Sequence, residues 1–145
     1  MIRRYGQSPD PQKRYRLRPG VYAILPLGDA LLLTHQAFPE PEVQLPGGGI
    51  DPGEHPLTAL HREVFEETGW RMTSPRRLGA FRRFTYMPEY DLWAEKLCII
   101  YTARPVRPHG PPSEAGHMAV LMQPEQAVRS LGNPGDRDFV ARFCL

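Results

Sequence analysis

Apolar residues along this chain come in short runs bounded by turn residues, and one run has a different period. Val21–Leu25 and Ala30–Thr34 flank the turn cluster Pro26-Leu27-Gly28-Asp29, which predicts a β-hairpin. Val43–Leu45 reads as a very short strand, and Leu78–Tyr86, Ala94–Ala103 and Met118–Met122 as further strands. Leu57–Thr68 differs: Leu57, Leu60, Val64 and Phe65 recur at helical spacing, and Gly69 stands where a left-handed C-cap belongs. Pro124–Leu131 and Arg137–Phe143 predict two terminal helices, the first with a proline at its start. Gln36–Glu42, Pro46–Pro56, Met87–Trp93 and Arg104–Pro112 are left as loops. Mixed strands around a central helix predict a single domain of α/β or α+β class.

Composition narrows this. Of 145 residues, 17 are proline and 13 glycine, about 21% together, where roughly 12% is average. Prolines interrupt nearly every window long enough for a long helix, so a helical bundle is excluded. The proline-free runs Leu57–Ser74 and Glu89–Arg104 are where regular structure is expected. Two Trp, six Tyr and six Phe within 41% apolar residues suffice for a core. Lys plus Arg number 18 and Asp plus Glu 16, a balance too even to argue for a nucleic-acid or membrane partner. The N-terminal cations Arg3, Arg4, Lys13, Arg14, Arg16 and Arg18 predict a solvated arm over residues 1–18, followed by one domain over 19–145. No apolar stretch approaches the ~18 residues of a membrane span. Cys98 and Cys144 lack CxxC spacing, so neither a zinc site nor a disulfide framework is expected, and a reduced cytoplasmic protein is the default.

The chemistry concentrates between Gly47 and Trp70. At about 100° per residue, Glu66 stands about −60° and Glu67 about +40° from Glu63, so three carboxylates share an arc of about 100° opposite the apolar flank. A merely solvated acidic face is a poor account of them. Glu63 and Glu67 repel at i,i+4, and Glu66 and Glu67 oppose the helix dipole, each by a few tenths to about 1 kcal/mol. Arg62 is the local compensation. A divalent cation turns the repulsion into coordination, and carboxylates without nearby Cys or His favour Mg²⁺ or Mn²⁺ over zinc. The preceding glycines permit close backbone approach, and Gly47 or Gly48 can offer a carbonyl. Glu54 is placed to pair with Arg62, His61 points away from the acids, and His55 is a weaker helix cap than Ser.

Gly48, Glu54, Arg62, Glu63, Val64, Glu66, Glu67, Gly69 and Trp70 reproduce G, five residues, E, seven residues, R-E-apolar-x-E-E-x-G-apolar. This resembles the signature of the Nudix hydrolase family. The resemblance implies an α/β/α sandwich with a mixed β-sheet, and Mg²⁺- or Mn²⁺-dependent hydrolysis of the diphosphate bridge of a nucleoside diphosphate derivative. It implies Glu63 and Glu67 as principal metal ligands, Glu66 as a further or water-bridged ligand, and the Gly47 carbonyl completing the shell. Arg62 and Glu54 would orient the glutamates. A carboxylate from outside the signature is usual as base or ligand; Glu114 is the expected one, with Glu95 and Glu89 as rivals.

For the substrate, the stretch Phe81–Tyr86 offers Arg82 or Arg83 to a phosphate and Tyr86 to a base, while packing is the better account of most of its aromatics. Family members that hydrolyse dinucleoside polyphosphates carry a tyrosine near this point, which favours them. Trp93 is expected in the core. The contrasting expectation is a silent Nudix-like module that binds a nucleotide or RNA 5′ end; loss of a signature glutamate would mark it, and none is lost. Monomer and homodimer both remain open.

Overall fold

The computed structural model describes residues 2–145. Its strands are β1 (Arg3–Tyr5), β2 (Arg16–Ile24), β3 (Pro26–Leu27), β4 (Ala30–Gln36), β5 (Glu42–Gln44), β6 (Gly47–Gly49), β7 (Trp70–Met87), β8 (Leu92–Pro108) and β9 (His117–Met122). Its helices are α1 (Pro56–Thr68), α2 (Pro124–Ser130) and α3 (Pro134–Cys144). Five strands form a mixed sheet in the order β1-β7-β8-β2-β6, with β1–β7 and β2–β8 parallel and the other two pairs antiparallel. A second sheet runs β3-β4-β5, with β9 also paired to β4.

Strand β2 shows why the molecule has two cores. Alternate side chains of a strand point to opposite faces. Val21 and Ala23 pack with Ala59, Leu60 and Val64 of α1, whereas Ile24, with Tyr22 against it, joins Phe81, Ile100, Phe139 and Val140 on the α3 side. Helices therefore cover both faces of the sheet, as expected of an α/β/α sandwich.

Several expected boundaries shift. The Val21–Thr34 hairpin is real at its tip, where β3 pairs with β4 across Gly28-Asp29, but its long arms part into different sheets. The supposed loop Arg104–Pro112 begins as strand: β8 runs to Pro108, and the prolines are accommodated beside a register shift between Arg71 and Met72. Nor is the segment 1–18 simply a solvated arm. Arg3–Tyr5 hydrogen-bonds along β7, the Tyr5 ring meets Phe81 edge-on, and β2 already starts at Arg16. Cys98 and Cys144 are free thiols. Among the described residues, no helix is long and apolar enough to cross a membrane.

Candidate functional site

Helix α1 starts and stops on local signals. His55 takes an extended backbone, and its Nδ1 accepts the Leu57 amide at 3.1 Å, so the imidazole caps the helix that Pro56 opens. His55, a weaker cap than Ser by residue type, does therefore fill the capping position. Gly69 closes the helix at φ 76°, its N–H donating to the Phe65 carbonyl at 2.8 Å. The last turn carries no basic residue, so nothing there offsets Glu66 and Glu67.

The glycine strand β6 lies against this helix. The Gly47 N–H donates to Glu67 Oε1 at 3.0 Å. A Cβ on Gly47 would stand 2.1 Å from the Val21 carbonyl oxygen, and one on Gly48 would stand 2.5 Å from Glu63 Oε2. Only a bare backbone lets β6 sit between β2 and the acidic face.

Arg62 ties the loop to the helix. Its Nε and Nη2 each donate to Glu54 at 2.9 Å, Nη1 donates to Glu63 Oε1 at 2.9 Å and to Glu66 at 3.4 Å, and Nη2 reaches the Gly49 carbonyl at 3.3 Å. The guanidinium holds the Glu54 carboxyl down at about 2. At Glu63 burial outweighs the same guanidinium, and Glu67 has no arginine partner. Burial, then neighbouring carboxylates, pushes Glu67 up to about 8 despite the Gly47 amide, and burial also raises Glu63. Glu114 contributes to both shifts and its N–H donates to the Glu66 carbonyl at 2.9 Å, so the loop before β9 does bring this acid to the cluster. Its rivals go elsewhere: Glu95 pairs with Arg82 at 3.6 Å, and Glu89 is exposed in the β7–β8 turn.

His117 was not anticipated. Its Nε2 lies 3.7 Å from Glu67 Oε2, and its Nδ1 lies 2.9 Å from Thr34 Oγ1. The Thr34 hydroxyl donates its one proton to the Glu67 carbonyl, so Nδ1–H of His117 donates to Thr34. No spacing in the sequence links positions 34, 67 and 117; adjacent strands β4 and β9 bring them together.

A cleft of about 780 Å³ opens beside the glycine strand, lined on one side by Gly47–Glu54 and Glu63 and on the other by Arg83, Lys96, Cys98, Asn133 and Asp136. Arg83, one of the two arginines offered to a phosphate, lines it. Arg82 and Tyr86 do not line it: they stand on the opposite face of β7, where Arg82 meets Glu95 and Tyr86 donates to Asp91 and packs on Trp93. Alternation along β7 separates Arg82 from Arg83, and the cleft takes the odd-numbered side. Trp93 is half-buried between Tyr15, Tyr86 and Lys13 rather than in the core. Asp136 is buried, and burial pushes its carboxyl up to about 7, against the Leu45 backbone and the more distant charges of Arg83 and Lys96.

The donor set fits a hard divalent ion: carboxylate oxygens crowd without enough cations, and no thiolate takes part. Among the described residues, no three acidic, His or Cys side chains already converge on one point. Their oxygens are turned to Arg62 and the Gly47 amide instead.

The NUDIX domain family model matches residues 16–143. This chain belongs to the Nudix family. Among curated relatives of this Nudix chain, an RNA pyrophosphohydrolase of Pectobacterium atrosepticum is 34% identical over 67 residues, 46% of this chain and 38% of that protein. The match thus spans well under half of the relative's length. Among solved structures, a NUDIX hydrolase from Nitrosomonas europaea superposes with TM-score 0.74 at 18% identity, covering 88% of each chain. The MutT protein from Methanosarcina mazei superposes with TM-score 0.69 at 23% identity, covering 89% of this chain and 94% of that one. These likenesses establish the α/β/α fold.

Proposed function

We propose that this Nudix protein hydrolyses a phosphoric anhydride bond in the diphosphate bridge of a nucleoside diphosphate derivative, with Mg²⁺ or Mn²⁺. The observation that carries this reading is the crowding of Glu63, Glu66 and Glu67 along one arc of α1, with Glu114 near enough to act on the charges of Glu63 and Glu67, beside a cleft that also holds Arg83 and Lys96. Glu63, Glu67, Glu66 and the Gly47 carbonyl would hold the ion. Bound there, it neutralises bridging phosphates and acidifies a water.

The chain's own residues supply the rest. Arg83 and Lys96 give the cleft positive charge for the phosphates. Arg62, fixed by Glu54, sets the directions of the Glu63 and Glu66 carboxylates. Glu66 or Glu114 accepts the proton of the attacking water as its oxygen bonds to phosphorus. The P–O bond to the leaving phosphate breaks, and that oxygen carries away the electron pair. Tyr86, the residue that favoured dinucleoside polyphosphates, lies off the cleft, so the substrate stays at the broader class. An RNA 5′ end belongs to that class, in keeping with the name of the matched relative. Two free thiols suit a reducing cytoplasm, where the protein acts as a monomer or homodimer.

The test is turnover of a panel of nucleoside diphosphate derivatives and 5′-triphosphorylated RNA with Mg²⁺ or Mn²⁺. Release of phosphate or nucleotide products supports the reading. Binding without turnover across the panel establishes the silent binding module instead.

A further inference from the structure

The turn between β7 and β8 projects one side chain that the proposed chemistry leaves unused. Tyr90 lines the cleft, yet the residue is 56% exposed. The turn is held by Tyr90 and Asp91 amides bonded to the Met87 and Pro88 carbonyls at 3.2 and 3.3 Å, with Asp91 at φ 47°. The Tyr86 hydroxyl donates to Asp91, so the neighbour of Tyr90 is pinned from the opposite face of the strand. One face of the Tyr90 ring carries the Arg18 guanidinium, 4.6 Å from its centroid. Among the described residues no other ring or cation stacks on it. Leu17, also 56% exposed, and Met87 line the cleft as well.

A ring fixed from one side by a cation and left open on the other is a stacking platform for a planar group. Within the proposed substrate class, the nucleobase is the planar aromatic part that every member carries. Resting on the functional reading above, we propose that Tyr90 stacks on the nucleobase of the substrate, with Arg18 on the far face of its ring. Every base has a π-face, so Tyr90 contributes affinity while discriminating little among bases.

The experiment is calorimetric titration of ATP, GTP and inorganic tripolyphosphate, each with Mg²⁺, into the full chain and into Tyr90→Ala and Tyr90→Phe. Expected for Tyr90→Ala is a Kd at least about fivefold higher for both nucleotides, with tripolyphosphate unchanged; Tyr90→Phe binds all three as the parent does. Thermal melts should coincide, because the replaced ring is exposed. Unaltered nucleotide affinity in Tyr90→Ala overturns the assignment, as does an equal loss for all three probes or a loss in Tyr90→Phe. Parent protein that binds tripolyphosphate as tightly as ATP also overturns it while leaving the pyrophosphohydrolase reading intact. Parent protein that binds no nucleotide and cleaves none overturns both.

Discussion

Arg62 grips Glu54 through two hydrogen bonds of 2.9 Å, joining the loop after β6 to the middle of α1. The same guanidinium reaches Glu63 and Glu66, so a single side chain sets the directions of three carboxylates. Replacing Arg62 with Ala should leave the fold in place, since its partners lie outside both apolar cores. Turnover should fall on the order of 10²-fold, the scale of an ångström-level misplacement. Steady-state kinetics with a far-UV dichroism control checks this; unchanged kcat would remove Arg62 from the positioning role.

Glu67→Gln separates chemistry from stability. Glu67 is 8% exposed and its charged form is disfavoured by burial and by Glu63 and Glu114. A neutral amide there should hold or raise Tm at pH 8, while turnover drops at least about 10²-fold. Parent-like rates would overturn the ligand assignment.

Divalent ions should stabilise the protein as well as activate it. Mg²⁺ at about 100 times its Kd should add about 2.7 kcal/mol, seen as a rise in Tm that a chelator reverses. Glu67→Gln should blunt the rise. An equal shift in parent and variant would place the ion elsewhere.

Asp136 predicts a pH slope. Burial pushes its carboxyl up to about 7 from an unfolded value of 3.8, against the Leu45 backbone, Arg83 and Lys96, while Glu42 raises it further. Between pH 4 and 7 the folded chain therefore holds a proton that the unfolded chain has released. Stability falls as pH rises through that window, on the order of a few kcal/mol in all. Asp136→Asn should flatten the slope, with its largest advantage near pH 8 and none near pH 4. Parallel Tm profiles for parent and variant would contradict this.

Gly47→Ala tests the close approach of β6. The added Cβ would stand 2.1 Å from the Val21 carbonyl oxygen, a backbone atom that cannot swing aside. Destabilisation on the order of 3 kcal/mol or more is expected, against a few tenths for Gly49→Ala, where an added Cβ meets open space, read by urea denaturation.

What the sequence made legible was local. Helix α1 announces itself because its period, its glycine stop and its three acids all lie within one contiguous stretch. The Arg62–Glu54 pairing followed from the same run. Prolines misled the reading of Arg104–Pro108, which pairs along β7 despite them. Arg82, Arg83 and Tyr86 cannot be ranked without knowing which face of β7 borders the cleft, and parity places only Arg83 of the three on its lining. His117, Asn133, Lys96 and Asp136 carry no shared signal, because strand pairing and helix docking bring them together from distant parts of the chain.

That contrast has an evolutionary consequence. The acids and their arginine belong to one short segment, braced by β2, whereas the far wall of the cleft is assembled from β7, β8 and the start of α3. Substitutions in that wall can retune which leaving group is admitted while the hydrolytic apparatus is inherited unchanged.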